Sequence, residues 1–230
     1  MIIEIIATSV EEAILAEKYG ANRIELIHAF TDGGLSPSLE LAKEVCNSVS
    51  IPVNVMVRPH ANGFVYSTAD FHKIDAEIDY LAENTKANAI VFGSLDEGGN
   101  INHGDLIRVI KRINGRLGFT FHRAIDVSGD PLKAFREIQG YGDSITNVLS
   151  SGGKNTAYQG IDVLAAMKDC QVINGAELLP GSGINPLNAA EIAYKTQARQ
   201  LHIGTGVRLN NMLDPELFQQ LLDINYDGLE

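Results

Sequence analysis

Residues 1–12, MIIEIIATSVEE, join an apolar run directly to the start of a helical pattern. The run Ile2–Ile6 consists mostly of β-branched residues, which is typical of a buried strand. Ser9 followed by Glu12 predicts a capping box, in which each side chain accepts a hydrogen bond from a backbone N–H group at the helix start. This join of a strand to a helix is the unit that recurs through the chain.

Eight such units are predicted. The strands are Ile2–Ile6, Arg23–Ile27, Val53–Val57, Ala89–Phe92, Gly118–His122, Ile145–Leu149, Ala176–Leu179 and Gln200–Ile203. Helix starts with a proline at the first position are predicted at Ser36-Pro37, Asp130-Pro131, Asn185-Pro186 and Asp214-Pro215. Strands that alternate with helices pair in parallel, and eight units close into a barrel. The sequence therefore predicts an α/β fold, a (β/α)₈ TIM barrel, as a single domain over residues 1–230.

An open doubly wound sheet is the alternative fold. It normally carries a glycine fingerprint after its first strand, because the backbone there approaches a dinucleotide phosphate. This chain has Ala7-Thr8-Ser9 at that place, which argues against a dinucleotide-binding sheet.

Composition excludes several classes of partner. The net charge of −11 repels nucleic-acid phosphates and anionic membrane surfaces, so neither is expected as a partner. No apolar stretch is long enough to span a membrane, and the chain starts in a strand without a signal-peptide pattern. Cys46 and Cys170 form no CxxC motif, which fits a reducing compartment. We therefore expect a cytoplasmic protein.

Charged residues cluster at the predicted carboxyl ends of the strands, where barrel enzymes place their sites. The candidate catalytic residues are Glu4, Glu25, Arg58, His122, Arg123 and Asp126. Alternation along each strand points the first four inward, so we expect them to lie close together at the barrel mouth. Such a set can transfer protons or bind a polar ligand. The alternative is a buried network in which these groups only pair with one another.

Glycine-rich turns follow the last three strands and predict a second group of candidate site residues. The candidate ligand-binding residues are Ser151, Gly152, Gly181, Ser182, Gly183, His202, Gly204, Thr205 and Gly206. Backbone N–H groups in such turns can hold a phosphate, and barrels often place that site after strands 7 and 8. We expect phosphate or sulfate around Gly181–Gly183 and Gly204–Gly206. The alternative is that the glycines serve tight turns, and that His202 is a core residue with satisfied hydrogen bonds.

Several segments together resemble the signature segments of the CutC family, in the family's order. They are Arg23-Ile24-Glu25-Leu26, Gly33-Gly34-Leu35-Ser36-Pro37-Ser38, Val57-Arg58-Pro59, Phe64-Val65-Tyr66-Ser67, Phe119-Thr120-Phe121-His122-Arg123-Ala124-Ile125-Asp126 and Leu179-Pro180-Gly181-Ser182-Gly183-Ile184. The resemblance implies a TIM barrel, a cytoplasmic location, self-association into a homo-oligomer and a role in copper homeostasis.

The chain departs from the family at two positions that matter for copper. CutC sequences commonly carry cysteines near the end of strand 1 and just after strand 2, where this chain has Ile6 and Ile27. Cu(I) prefers thiolate and thioether ligands, which isoleucine does not supply. No metal ligands and no cofactor are therefore predicted from the residues, and copper enters through the resemblance only.

Two functions stay open at this point. The first is a CutC-like copper homeostasis protein. The second is a metal-independent TIM-barrel enzyme that acts on a small anionic substrate, for example a phosphorylated molecule. Stoichiometric Cu(I) binding that survives a competing chelator would separate them.

We predict that the wild-type protein does not bind Cu(I) tightly at Ile6 and Ile27. Adjacent strands lie about 4.8 Å apart, so cysteines at both positions would share one ion. The measurement is a Cu(I) titration against a chromogenic chelator, on the wild type and on the Ile6→Cys/Ile27→Cys variant. The prediction fails if the wild type takes up one tight equivalent and the double substitution adds nothing.

Overall fold

The computed structural model describes residues 1–224, in which eight parallel strands form a nearly closed barrel. The strands are β1 (Ile2–Ala7), β2 (Arg23–Leu26), β3 (Val53–Met56), β4 (Ala89–Phe92), β5 (Gly118–Phe121), β6 (Asn147–Ser150), β7 (Glu177–Pro180) and β8 (Gln200–Ile203). Each of β1 to β6 pairs with the strand that follows it, and β1 also pairs with β8. The predicted (β/α)₈ TIM barrel is confirmed.

Helices follow the strands along the chain. They are α1 (Val10–Tyr19), α2 (Leu39–Ser48), α3 (Thr68–Asn84), α4 (His103–Ile113), α5 (Pro131–Gln139), α6 (Ile161–Asp169), α7 (Ala189–Thr196) and α8 (Pro215–Leu222). Apolar residues of the helices and of the outward faces of the strands form one large buried cluster. The main core therefore lies between the strands and the surrounding helices, and the barrel interior is left free for polar groups.

Two of the four predicted proline starts are confirmed. α5 and α8 begin at Pro131 and Pro215, each after an aspartate whose carboxylate accepts a hydrogen bond from a backbone amide. The other two predictions are wrong, since α2 and α7 begin later, at Leu39 and Ala189. At the first of these, the Ser36 hydroxyl bonds a backbone amide and a carboxylate of other elements, and it is not a helix cap.

The capping box at the start of α1 is half correct. The Ser9 hydroxyl accepts a hydrogen bond from the Glu12 amide, as predicted. The Glu12 carboxylate does not return a bond to Ser9; it accepts from the Thr8 amide and hydroxyl at 2.8 and 2.9 Å. The Arg208 guanidinium also binds this carboxylate, at 2.5 Å. The Glu12 carboxylate is thus bound by Thr8 and Arg208, and the predicted reciprocal bond to Ser9 does not form.

The barrel closes between β7 and β8 at what we term the β7–β8 seam. A single backbone bridge joins Gly181 to His202 there. A Cβ atom on Gly181 would lie 3.1 Å from His202 Cδ2 on β8 and 2.5 Å from Leu149 Cδ1 on β6, so a larger residue would crowd both neighbouring strands. The Gln200 amide adds a hydrogen bond across the seam, to the Leu178 carbonyl at 3.3 Å.

The structure tests the predicted strand bounds, but it does not test the domain bounds over the whole chain. β6 and β7 begin later than predicted, although Ile145 and Ala176 remain buried. Residues 225–230 lie outside the described residues, so a single domain over the whole chain stays a prediction. Within residues 1–224, no helix combines the length and the apolar character needed to cross a bilayer.

We predict that Gly206→Ala destabilises the protein by about 1–3 kcal/mol, the usual effect of overpacking. A Cβ atom there would lie 1.8 Å from the Ile184 carbonyl oxygen, so the backbone must move. Gly129→Ala is the matched control, because a Cβ at Gly129 meets no atom within 4 Å. Urea unfolding of both variants measures the difference, and equal stabilities would contradict the packing argument.

Candidate functional site

A cavity of about 210 Å³ opens at the carboxyl ends of the strands. Its volume is below the roughly 300–1,000 Å³ of pockets that hold drug-sized ligands, so it suits a small molecule. Its wall contains nine of the proposed site residues: Glu25, Arg58, His122, Arg123, Ser182, Gly183, His202, Gly204 and Thr205. Much of the remaining wall is apolar, formed by Ile6, Ile27, Phe30, Met56, Phe64 and Leu149.

The other proposed residues lie away from the cavity wall. They are Glu4, Asp126, Ser151, Gly152, Gly181 and Gly206. Asp126 is occupied by structural hydrogen bonds: it accepts from Ser150 Oγ at 2.6 Å, from the Ser151 amide at 2.9 Å and from the Gly153 amide at 3.1 Å. It also accepts from Arg123 Nε at 2.8 Å. Asp126 therefore ties the loop after β5 to the loop after β6 and holds Arg123 at the cavity edge.

Glu4 lies one layer below the cavity, inside the barrel. Its carboxylate is buried and pairs with the Arg23 guanidinium, and it accepts a hydrogen bond from Asn54 at 3.1 Å. Arg23 in turn donates to Gln200 at 2.8 Å, which donates to Asn147 at 2.6 Å. Glu4 therefore fits the alternative given above, a buried polar network, because each of these groups satisfies the hydrogen bonding of the next.

Sequence reasoning did not name Arg23 as a site residue, although the signal was present. Arg23 lies two positions before Glu25 on β2, so the alternation that points one side chain inward also points the other. An inward arginine on this strand is the natural partner for an inward glutamate on β1, since Glu4 and Arg23 are paired in register.

Glu4, His202 and Glu25 form a buried chain of titratable groups. His202 Nδ1 lies 2.8 Å from Glu4 Oε1, and His202 Nε2 lies 3.8 Å from Glu25 Oε2. The second oxygen of Glu25, Oε1, is buried and has no hydrogen-bond partner within the described residues. One oxygen of the Glu25 carboxylate therefore lies near His202, and the other has no hydrogen-bond partner in the described part of the chain.

The two carboxylates have opposite pKa shifts. Burial acts to raise the pKa of Glu4, but the Arg23 charge and the His202 hydrogen bond outweigh it and lower the pKa to about 2. Burial raises the pKa of Glu25 to about 7; the His202 charge opposes this rise, and the Glu4 charge adds to it. Burial acts to lower the pKa of His202, but the charges of Glu25 and Glu4 raise it above its ordinary value. Glu4 is thus a fixed anion, whereas Glu25 changes protonation near neutral pH.

His122 lines the cavity with a neutral imidazole ring. Burial, with the nearby Arg58 charge, lowers its pKa to about 3, so the ring is uncharged at neutral pH. The Ala124 amide donates to His122 Nδ1 at 3.2 Å, which assigns the single ring proton to Nε2. Nε2 is buried and has no partner within residues 1–224. Phe64 packs edge-on against the ring, with centroids 5.0 Å apart, and fixes its orientation.

Arg58 brings a buried positive charge to the cavity. Its Nη1 donates to the carbonyls of Asp32 and Gly34 at 2.9 and 3.0 Å, and the guanidinium lies 4.7 Å from the centroid of Phe64. Its Nε has no partner, and no carboxylate among the described residues forms an ion pair with Arg58. A buried charge without a counter-ion is rare, because desolvation is otherwise uncompensated. Phe64, which sequence reasoning missed, therefore supports both Arg58 and His122.

The turns after β7 and β8 present backbone amides beside the cavity. The amides of Ser182, Gly183, Gly204 and Thr205 make no hydrogen bond to any group in the described part of the chain. Ser182 adopts a φ of 80°, a left-handed conformation that is strained for serine, and its hydroxyl donates to the Asn155 carbonyl. These amides are available to an anion, and the phosphate expectation for the two turns stays a prediction.

The donor atoms at the mouth do not fit Cu(I). One oxygen or nitrogen from each of Glu4, Glu25 and His202 lies within 4.8 Å of the others, a set of hard or imidazole ligands that the sequence analysis did not foresee. Ile6 and Ile27 pack together with Met56 as a hydrocarbon wall. The Met56 thioether is the one soft donor among the described wall residues, so a thiolate-rich copper site is absent from this part of the chain.

We predict that wild-type stability falls as pH rises from 4.5 to 7, relative to Glu25→Gln. The folded protein keeps the Glu25 proton up to about pH 7, whereas the unfolded chain loses it near 4.5, so the folded state binds more protons in this window. The relative fall is on the order of 3 kcal/mol, because one pKa unit corresponds to about 1.4 kcal/mol.

Urea unfolding of both proteins across this pH range measures the effect. Glu40→Gln, a change at an exposed carboxylate on α2, is the control and should follow the wild type. Parallel wild-type and Glu25→Gln curves would show that Glu25 titrates normally.

Comparison with solved structures supports the fold. The CutC protein of Streptococcus agalactiae superposes with a TM-score of 0.82 and 25% identity, covering 90% of this chain and all of that one. Phosphoribosyl anthranilate isomerase of Thermotoga maritima superposes with a TM-score of 0.66 over 99% of this chain, at 14% identity. The second likeness reflects the shared barrel fold alone.

Comparison with known sequences identifies the family. A CutC family protein of Treponema denticola is 42% identical over 200 residues, which cover 87% of this chain and 79% of the relative. The copper homeostasis protein cutC homolog of Homo sapiens is 35% identical over 201 residues, covering 87% of this chain and 72% of the relative. The CutC family model matches residues 1–207. This chain belongs to the CutC family.

Proposed function

We propose that this CutC-family barrel serves copper homeostasis by binding a small anionic molecule at its mouth, and not by holding Cu(I) in its own side chains. The copper role is supported by family membership and by the name of the human relative. The mode of action is supported by the cavity, whose wall offers hydrogen-bond donors and hydrocarbon but no thiol.

The proposal of an anionic ligand rests on Arg58, whose buried charge has no counter-ion in the described part of the chain. Arg58 is 6% exposed, and its Nε has no hydrogen-bond partner within residues 1–224. A ligand oxygen carrying negative charge would supply both the counter-ion and the acceptor, and charge-assisted bonds of this kind are about twice as strong as neutral ones. The Nε2–H of His122 and the amides of Ser182 and Gly183, which have no partner within residues 1–224, offer further donors.

A second candidate function is an enzyme that acts on the same class of small anion. It is favoured by Glu25, a cavity carboxylate whose pKa of about 7 suits proton transfer at neutral pH. Both candidates use one cavity, so anion binding is common to them.

Two further expectations accompany this proposal. Both cysteines are free thiols, which supports the cytoplasm as the location. Self-association into a homo-oligomer is supported by the family resemblance, and size-exclusion chromatography with light scattering would measure it.

We predict that inorganic phosphate raises the Tm of the wild type, and that Arg58→Met weakens phosphate binding about 10–100-fold. Loss of one charge-assisted hydrogen bond corresponds to roughly 1.5–3 kcal/mol. Thermal-shift titrations with phosphate, against chloride at matched ionic strength, give the Kd of each variant. Ligand-induced shifts are compared, so a lower starting Tm of Arg58→Met does not affect the result.

Arg112→Met is the control, because Arg112 pairs with Asp79 on the outer helices, far from the mouth. It should bind phosphate like the wild type. In the source organism, a strain without this protein should lose copper tolerance, and Arg58→Met should fail to restore it. Absence of a phosphate-specific shift would contradict the anion site, and full rescue by Arg58→Met would separate that site from copper tolerance.

A further inference from the structure

Three residues of the cavity wall each carry a buried polar atom that has no partner within residues 1–224, and the roles of these atoms differ. When Glu25 is ionised, its Oε1 is a hydrogen-bond acceptor, whereas His122 Nε2–H and Arg58 Nε–H are donors. All three residues are buried, so each orphaned atom is costly unless a bound molecule satisfies it. A matching ligand must therefore offer an oxygen to the donors and a proton to the carboxylate.

Such a pairing of groups suits a carbonyl oxygen with an acidic C–H bond on the adjacent carbon. When a base removes that proton, the C–H electron pair forms a C=C bond and the carbonyl oxygen takes up the negative charge. Fixed donors in a water-poor site stabilise this oxygen. A neutral imidazole is well suited to the task, since its N–H can donate while no full charge has to be buried.

The position of Glu25 fits the role of the base. Oε2 lies 3.8 Å from His202 Nε2, and Oε1 has no hydrogen-bond partner in the described part of the chain. His202 is itself held by Glu4, whose carboxylate is anchored by Arg23 and Asn54. The chain from Glu4 to Glu25 therefore orients the base through groups that do not need to move.

We infer that the cavity catalyses proton transfer at the carbon next to the carbonyl of a small anionic ketone, with Glu25 as the base and His122 and Arg58 as the donors to the developing oxyanion. His202 and Glu4 are positioning residues. The inference rests on the proposed function, since it requires that the cavity bind a small anion. The step is balanced, because Glu25 takes up one proton from the carbon next to the carbonyl and returns one proton to that same carbon.

The experiment uses three probes, pyruvate, 2-oxobutyrate and dihydroxyacetone phosphate. Binding of each is first measured by thermal shift, and each is then incubated with the protein in D₂O. Replacement of hydrogen by deuterium next to the carbonyl is followed by proton NMR. At least one probe that binds should exchange well above the rate in buffer, and Glu25→Gln should lower this rate by about 10²–10⁴-fold.

Variants separate catalysis from folding and from binding. Glu40→Gln, on the exposed surface of α2, should exchange at the wild-type rate. His202→Asn removes a positive charge that lowers the pKa of Glu25, so the rise of the exchange rate with pH should move to higher pH. A merely structural role for His202 would change the rate without moving this profile.

Each outcome decides a different point. If no probe binds although inorganic phosphate does, the anion site stands and the inference is wrong; if neither phosphate nor any probe binds, both are overturned. If a probe binds but exchanges at the buffer rate, the anion site stands and the inference is wrong. Equal exchange by the wild type and Glu25→Gln would overturn the assignment of Glu25 as the base.

Discussion

The ion pair between Glu4 and Arg23 is the constraint on which the barrel mouth depends. A carboxylate inside a barrel must be neutralised, because the desolvation of an unpaired charge would exceed what the fold can offset. Arg23 is opposite Glu4 in the β1–β2 register, and the pairing leaves the other oxygen of Glu4 for His202. The direction of the His202 ring, and through it the setting of Glu25, therefore follows from a contact one layer below the cavity.

The apolar part of the wall has an electrostatic effect. Ile6 and Ile27, together with Met56, present hydrocarbon to the polar groups across the cavity. Hydrocarbon keeps the local dielectric low, which strengthens every interaction between charges and dipoles there. The isoleucines, which supply no soft ligand for copper, thus also strengthen the polar interactions of Glu25, Arg58 and His122.

The sequence predicted the barrel well, because strand alternation and helix spacing repeat eight times and each repeat supports the next. It also placed Glu25, Arg58 and His122 at the mouth, since inward positions follow from period-two alternation. It could not show that Asp126 is used up by loop amides, because those contacts come from a different loop. The tautomer of His122 was equally hidden, since it depends on one backbone amide whose position the local pattern does not encode.

The β7–β8 seam has a consequence for motion. Every other strand boundary in the barrel carries a ladder of hydrogen bonds, whereas this one rests on a single bridge and one side-chain bond. Local opening therefore requires the least free energy here, and amide hydrogen exchange should report it as the least protected boundary. The two glycine turns flank this seam, so an anion bound to both would hold β7 and β8 together. Occupancy and closure of the barrel would then be thermodynamically linked, each favouring the other.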